Sequence, residues 1–296
     1  MGIMNAILPV AAGWANPSYR RVSTWLTVYE KRLQAKNFAR TTLQHKRMML
    51  SVLNRFIGPL PIGSVTPHHV LYFLDFYVAQ GKTRSAAIAH FLIKDVFREA
   101  EFSGWINKNP VTPVLVPDDV VKRDRLTVDE WQRIYLAAKF QSPDYFPLAM
   151  LLTLVTAQRR SDISAMRREQ IFDDHLHIEQ LKTGAKIAIP LDLRLDALGI
   201  SVREVIDMCP GNDFLLSHRQ IMVHSLSHRF QAVRDAIFPR DQWLGTPPSF
   251  HEQRSLAERL YRDQGINTQR LLGHKYQRTT DRYDDDRGRE FRKIII

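Results

Sequence analysis

Apolar residues recur at intervals of three and four along the first third of the chain. Leu26, Tyr29 and Leu33 share one face of residues 23–36, and Met49, Val52, Leu53 and Phe56 share one face of 41–57. Val70, Phe73, Leu74 and Tyr77 do the same in 67–80, as do Ile88, Phe91, Leu92, Val96 and Phe97 in 85–102. This spacing predicts four amphipathic helices packed on one core. Two prolines and two glycines in 58–63 separate the second from the third. The longest mainly apolar run, 146–155, is closed by Arg159 and Arg160. It is too short to span a bilayer and predicts a buried helix.

The pattern then changes. Residues 109–125 carry Pro110, Pro113 and Pro117 and end in Lys122, Arg123 and Arg125, which predicts a stiff basic linker. Thr127 with Glu130 three residues on is a capping box that opens a new helix. Further on, 175–180 and 186–191 read as short strands joined by a turn over 182–185 that contains Gly184. Helical patterns return at 193–208, 225–237 and 251–263. The predicted class is α+β, mainly α with a small β-hairpin. The predicted organisation is a leader over 1–18, a helical domain over 19–120 and a second domain over 121–296.

Composition narrows the function. With 42 Lys and Arg against 31 Asp and Glu, the net charge is +11, and the pI of about 9.9 makes a polyanionic partner plausible. Charge alone does not separate an enzyme from a passive DNA binder. The apolar stretch 7–15 has no basic segment before it, so it does not read as a secretory signal. The one cysteine, Cys209, cannot form an internal disulfide, which suits a reducing cytoplasm.

Some motifs lead nowhere. His251-Glu252 opens like a zinc-protease signature, but Ser255 stands where the second histidine is needed. Gly81-Lys82-Thr83 resembles the end of a phosphate loop, but Phe76 replaces the required glycine. His175-Leu176-His177 reads as polar positions of a strand rather than as a metal site. No metal and no cofactor are expected.

Four separate segments supply residues suited to one task, the metal-free attack on a phosphodiester. They are Thr156 to Asp162 with Arg159 and Arg160, the hairpin lysine Lys182, His251 with Arg254, and a stretch from Leu271 through His274 to Tyr283. Phosphoryl transfer chiefly needs positive charge placed around the equatorial oxygens. Arginine supplies it with a planar fork that stays charged.

In this order and spacing the chain resembles the tyrosine recombinase (phage integrase) family, from about residue 23 onward. The resemblance is densest at Thr183-Gly184-Ala185-Lys186-Ile187-Ala188-Ile189-Pro190, at Ser249-Phe250-His251-Glu252 and at Asp285-Asp286-Arg287-Gly288-Arg289-Glu290. It implies a core-binding domain followed by a catalytic domain, acting as a clamp on duplex DNA. It implies that Arg159 and Arg254 hold the phosphate and that Lys182 protonates the departing 5′ oxygen. His251 is implied as general acid/base, His274 as a second phosphate ligand, Asp162 as a supporting acid and Tyr283 as nucleophile. Ala157 departs from the glycine usual before the first arginine. The implied reaction is site-specific recombination through a 3′-phosphotyrosyl intermediate and a Holliday junction, integrating or excising a phage or mobile element. The implied setting is a homotetramer on core-type DNA sites in a bacterial cytoplasm, with room for DNA-bending accessory proteins of host or phage and no membrane.

Lys46, Arg47, Lys82, Arg84, Lys122, Arg123 and Arg125 are the expected phosphate contacts. Two other readings stand beside this one: a type IB topoisomerase that reseals the same strand, and a catalytically inactive DNA-binding module. The first 18 residues are too few for an independent arm-binding domain, so no separate arm-site binding is expected. The final Ile294-Ile295-Ile296 favours an extended strand, and the resemblance implies that it docks on a neighbouring catalytic domain.

Overall fold

The computed structural model describes residues 20–118 and 123–284. The leader, Lys122, the stretch Asp285 to Glu290 and the isoleucine tail lie outside the described residues. The chain divides into two compact units, Met1–Val121 and Lys122–Ile296.

Among the described residues the first unit holds four helices, α1 (Val22–Ala35), α2 (Arg40–Ile57), α3 (Pro67–Val78) and α4 (Thr83–Phe102). A 3-10 turn, Ile62–Ser64, fills the predicted break. Trp25, Tyr29, Leu53, Phe73, Val96 and Phe97 form the core, and burying side chains of this size stabilises by roughly 1.5–3 kcal/mol each. The Trp25 indole donates to the Val96 carbonyl at 3.0 Å, so its one polar atom is satisfied. The predicted linker is shorter than expected. Pro110, Val111 and Val114 are buried in this unit, and Asn109 donates to the Lys94 carbonyl at 3.0 Å. Valines in a proline-rich stretch still gain more from burial than from acting as spacer.

The second unit begins with α5 (Val128–Gln141), α6 (Tyr145–Thr156) and α7 (Arg160–Ala165). The expected capping box opens α5, with Glu130 N–H donating to Thr127 Oγ1 at 3.2 Å and Thr127 N–H to Glu130 Oε2 at 2.8 Å. An antiparallel sheet follows in the order β1 (Ile171–Phe172), β2 (His175–Glu179), β3 (Lys186–Pro190). Its register pairs Ile178 with Ile187 and Leu176 with Ile189.

The expected helix over 193–208 is corrected. Only Val202–Asp207 (α8) is helical, after a two-stranded ribbon of β4 (Arg194–Leu195) and β5 (Ile200–Ser201). Gly199 turns that ribbon at φ 61°, a conformation that interrupts a helix. The unit closes with α9 (Val223–Ile237), α10 (Glu252–Asp263), α11 (Thr268–Leu272) and α12 (Gln277–Asp284).

Helix α10 packs on α6. Buried polar bonds fix its setting: Trp131 Nε1 donates to Gln253 Oε1 at 2.7 Å, and Tyr261 Oη donates to the Val155 carbonyl at 2.7 Å. Among the described residues no helix is long and apolar enough to cross a membrane.

Candidate active site

The site is assembled where α6, the β2–β3 turn and the start of α10 meet the α11–α12 segment. Helix α6 ends at Ala157, which adopts the left-handed conformation at φ 53°. That geometry explains why glycine is usual there: a Cβ in this region strains the backbone by roughly 1–2 kcal/mol. The turn aims Arg159, the N-cap residue of α7, at the hairpin. Its Nη1 donates to Gln180 Oε1 at 2.5 Å.

Asp162 is buried, and its Oδ1 accepts from the Leu181 N–H at 3.0 Å. It thus anchors the backbone next to Lys182, whose side chain is exposed on the turn.

Arg254 is fully buried on α10. Its Nη1 donates to the Ala157 carbonyl at 2.7 Å and its Nη2 to the Leu272 carbonyl at 2.7 Å. Nη2 also lies 3.3 Å from His274 Nε2. A guanidinium only donates, so Nε2 is the acceptor there, and Nδ1 carries the proton toward Thr280 Oγ1 at 2.9 Å. Burial lowers the Arg254 pKa to about 10, still charged at neutral pH.

His274 follows Gly273, which is left-handed at φ 63°. A Cβ on Gly273 would stand 2.7 Å from Ile187 Cδ1 and 3.1 Å from Gln180 Nε2, so only glycine lets this segment approach the hairpin.

Tyr283 lies on α12 with its hydroxyl 3.3 Å from His251 Nε2. Its ring centroid is 5.4 Å from that of His274 and 5.9 Å from the Arg254 guanidinium carbon. Desolvation pushes both histidines down to about 4. For His251 the cations Arg254, Arg159, Arg160 and Lys182 add to it, and for His274 Arg254 and Arg159 do.

The structure therefore brings Arg159, His251, Arg254, His274 and Tyr283 together, with Asp162 behind them and Lys182 close enough for its charge to act on His251. Sequence reasoning missed three participants. Gln158, Gln180 and Thr280 are uncharged, and nothing local marks them as partners of Arg159 or His274.

Arg125, expected at a DNA phosphate, makes contacts within the protein. It turns inward, half-buried, and donates to Glu252 Oε1 at 3.3 Å, to Ser255 Oγ and to the Arg282 carbonyl at 3.1 Å. A long basic side chain at the edge of a linker reads as solvated, but here a buried carboxylate draws it in.

Of the other expected DNA contacts, Arg123 is exposed beside Ser249 Oγ at 2.5 Å. Arg47 pairs with Glu30 at 2.8 Å, Lys46 lies over the Phe38 ring, and Lys82 donates to Gln80 at 2.7 Å. Arg84 is exposed. The His177 ring stacks on Phe172 with centroids 3.6 Å apart.

A tyrosine hydroxyl facing a histidine, beside two arginines and a hairpin lysine, is a set of side chains suited to phosphoryl transfer. Comparison with known proteins agrees. Residues 124–289 match the phage integrase family and residues 23–114 match the phage integrase central domain. Prophage integrase IntE of Escherichia coli (strain K12) is 39% identical over 93% of this chain and 78% of its own length. The integrase of Escherichia phage lambda is 39% identical over 92% and 78%. Among solved structures, a lambda integrase tetramer bound to a Holliday junction superimposes with a TM-score of 0.87 at 36% identity, covering 93% of this chain and 80% of that one. A lambda integrase dimer bound to a COC' core site gives 0.85 at 38%, over 93% and 80%. This chain belongs to the phage integrase family, and it is a site-specific DNA recombinase.

Proposed function

We propose that Tyr283 attacks a scissile phosphodiester in duplex DNA and that the remaining site residues serve that step. The observation that carries the reading is the 3.3 Å approach of the Tyr283 hydroxyl to His251 Nε2. A free phenol with a pKa near ~10 is a weak nucleophile at neutral pH, and a neutral imidazole at this distance can take its proton as the P–O bond forms.

Arg159 and Arg254 balance charge on the non-bridging oxygens, and His274, which accepts from Arg254, holds that guanidinium in place. As the bond from phosphorus to the 5′ oxygen breaks, Lys182 gives that oxygen a proton. The products are a 3′-phosphotyrosyl linkage and a free 5′ hydroxyl. A 5′ hydroxyl from a second duplex then reverses the chemistry: its proton goes to Lys182, and Tyr283 regains its own from His251. One phosphodiester is exchanged for another, through a Holliday junction.

The setting we infer is a homotetramer on core-type sites, as the tetrameric and dimeric lambda integrase complexes imply by analogy, in the cytoplasm of a bacterial host. Arg123, Lys46, Arg47, Lys82 and Arg84 are proposed to meet the DNA backbone.

The test is a suicide DNA substrate that traps the covalent adduct, followed by peptide mapping. The adduct is expected on Tyr283 and is expected to vanish in Tyr283→Phe while DNA binding survives. An adduct on Tyr276, which is exposed and stands beside Lys275, would overturn the assignment. Mixing matched sites separates this function from simple resealing: strands are expected to exchange between duplexes, not only to change linking number.

A further inference from the structure

Gln180 directly follows β2 and leads into the Lys182 turn, and it is 1% exposed. Every hydrogen-bonding position of its amide is in use. Oε1 accepts from Arg159 Nη1 at 2.5 Å and from Thr183 Oγ1 at 2.7 Å. Nε2 donates to Gln158 Oε1 at 2.7 Å and to the Leu272 carbonyl at 3.0 Å. Gln158, also buried, passes the connection on by donating to the Leu271 and Thr156 carbonyls, each at 2.9 Å. The Leu272 carbonyl is the one that Arg254 also grips. A Cβ on Gly273 would stand 3.1 Å from the amide nitrogen, so a side chain there would press on the amide.

Two properties follow. First, the amide cannot flip. Flipping would turn the NH2 toward the Arg159 guanidinium, donor against donor, and the oxygen toward two other acceptors. Gln180 therefore holds Arg159 in one orientation, through an acceptor already inside the protein. Second, the same amide reaches across to the end of α11. Its orientation is complete only when the segment bearing His274 and Tyr283 is seated.

We propose that Gln180 is a positioning residue for strand cleavage. It sets the Arg159 fork toward the scissile phosphate and ties that setting to the docking of the nucleophile segment. The proposal rests on Arg159 acting as a phosphate clamp.

The test uses the full chain with Gln180→Met, which keeps the side chain's length and removes its polar atoms. Adduct formation is measured at saturating suicide substrate, with the equilibrium DNA affinity measured alongside. The adduct rate is expected to fall by roughly a hundredfold, the scale of a misplaced catalytic group, with affinity held within about threefold. On a substrate whose scissile phosphate is replaced by a neutral methylphosphonate, less charge needs balancing, and the deficit is expected to shrink. A simple packing defect would leave it unchanged.

A rate within about threefold of the unmodified protein would overturn the proposal, as would an equal deficit on both linkages. Should Gln180→Met not fold, Gln180→Glu keeps the oxygen that Arg159 needs but loses both Nε2 donors; a folded Gln180→Glu that cleaves at the unmodified rate overturns the proposed tie to the nucleophile segment. Arg159→Ala, run in parallel, keeps the two ideas apart. If that variant cleaves normally, the clamp reading itself fails. If it is inactive while Gln180→Met cleaves normally, only the role of Gln180 falls.

Discussion

Tyr283 presents its hydroxyl to a histidine, His251, that stays unprotonated well below neutral pH. Desolvation and then four cations push that imidazole down to about 4 from 6.5. The rate of adduct formation at subsaturating DNA reports the free enzyme. It is expected to stay level from about pH 8 to about pH 5 and to drop only as pH nears about 4. A break near 6.5 would mean that His251 titrates as an ordinary histidine.

Stability should follow the same groups. His251 and His274 both titrate near 4 in the folded chain, whereas an unfolded chain takes up those protons near 6.5. Between these values the unfolded state binds more protons, so stability is lost as pH falls through this window and is fully present above it. Urea midpoints measured at a series of pH values should show the decline, and replacing His274 with Gln should flatten it.

Arg254→Lys tests more than charge. The guanidinium donates to two carbonyls, of Ala157 and Leu272, from a fully buried position. A lysine cannot fork between them, and one buried carbonyl left unpaired costs about 1–3 kcal/mol. The variant is expected to lose both cleavage and thermal stability. Unchanged melting with lost cleavage would show that the fork matters only to the phosphate.

At Ala157 two effects oppose each other. Glycine would relieve the left-handed strain of roughly 1–2 kcal/mol but would expose the space of a buried methyl, worth ~0.8 kcal/mol. Ala157→Gly should therefore melt close to the unmodified protein. Ala157→Val should melt lower and cleave more slowly, because a β-branched residue resists this backbone and the carbonyl held by Arg254 would shift.

Arg125→Ala separates framework from DNA contact. Because Arg125 binds Glu252 and the Arg282 carbonyl, its loss should slow adduct formation while the salt dependence of DNA affinity stays as it was. A shallower salt slope, by about one unit, would place Arg125 on a phosphate after all.

The helices of the first unit were legible in the sequence because their information is local: a stripe at three and four residues and a turn rich in proline and glycine. The capping box at Thr127 and the hairpin around Gly184 were legible for the same reason. The ribbon Arg194–Leu195 with Ile200–Ser201 was not, since two-residue strands are fixed by their partner and by Gly199 rather than by their own pattern. In the site, charged and aromatic residues announced themselves. Gln158, Gln180 and Thr280 did not, because an amide or hydroxyl acquires its role only when distant segments close on it. The contacts of Arg125 were hidden for a related reason: the carboxylate it meets, Glu252, lies on α10.

In the described part of helix α12, Gln277–Asp284, two contacts hold the neighbours of Tyr283: Thr280 bonds His274, and the Arg282 carbonyl accepts from Arg125. On the proposed chemistry the cleavage rate would be the intrinsic rate multiplied by the fraction of time Tyr283 is seated against His251. Once docking is no longer favoured, each further ~1.4 kcal/mol lost from those contacts cuts that fraction about tenfold. Substitutions that touch neither DNA nor any reacting atom can therefore act as a throttle on recombination, by changing how often the nucleophile is at its post.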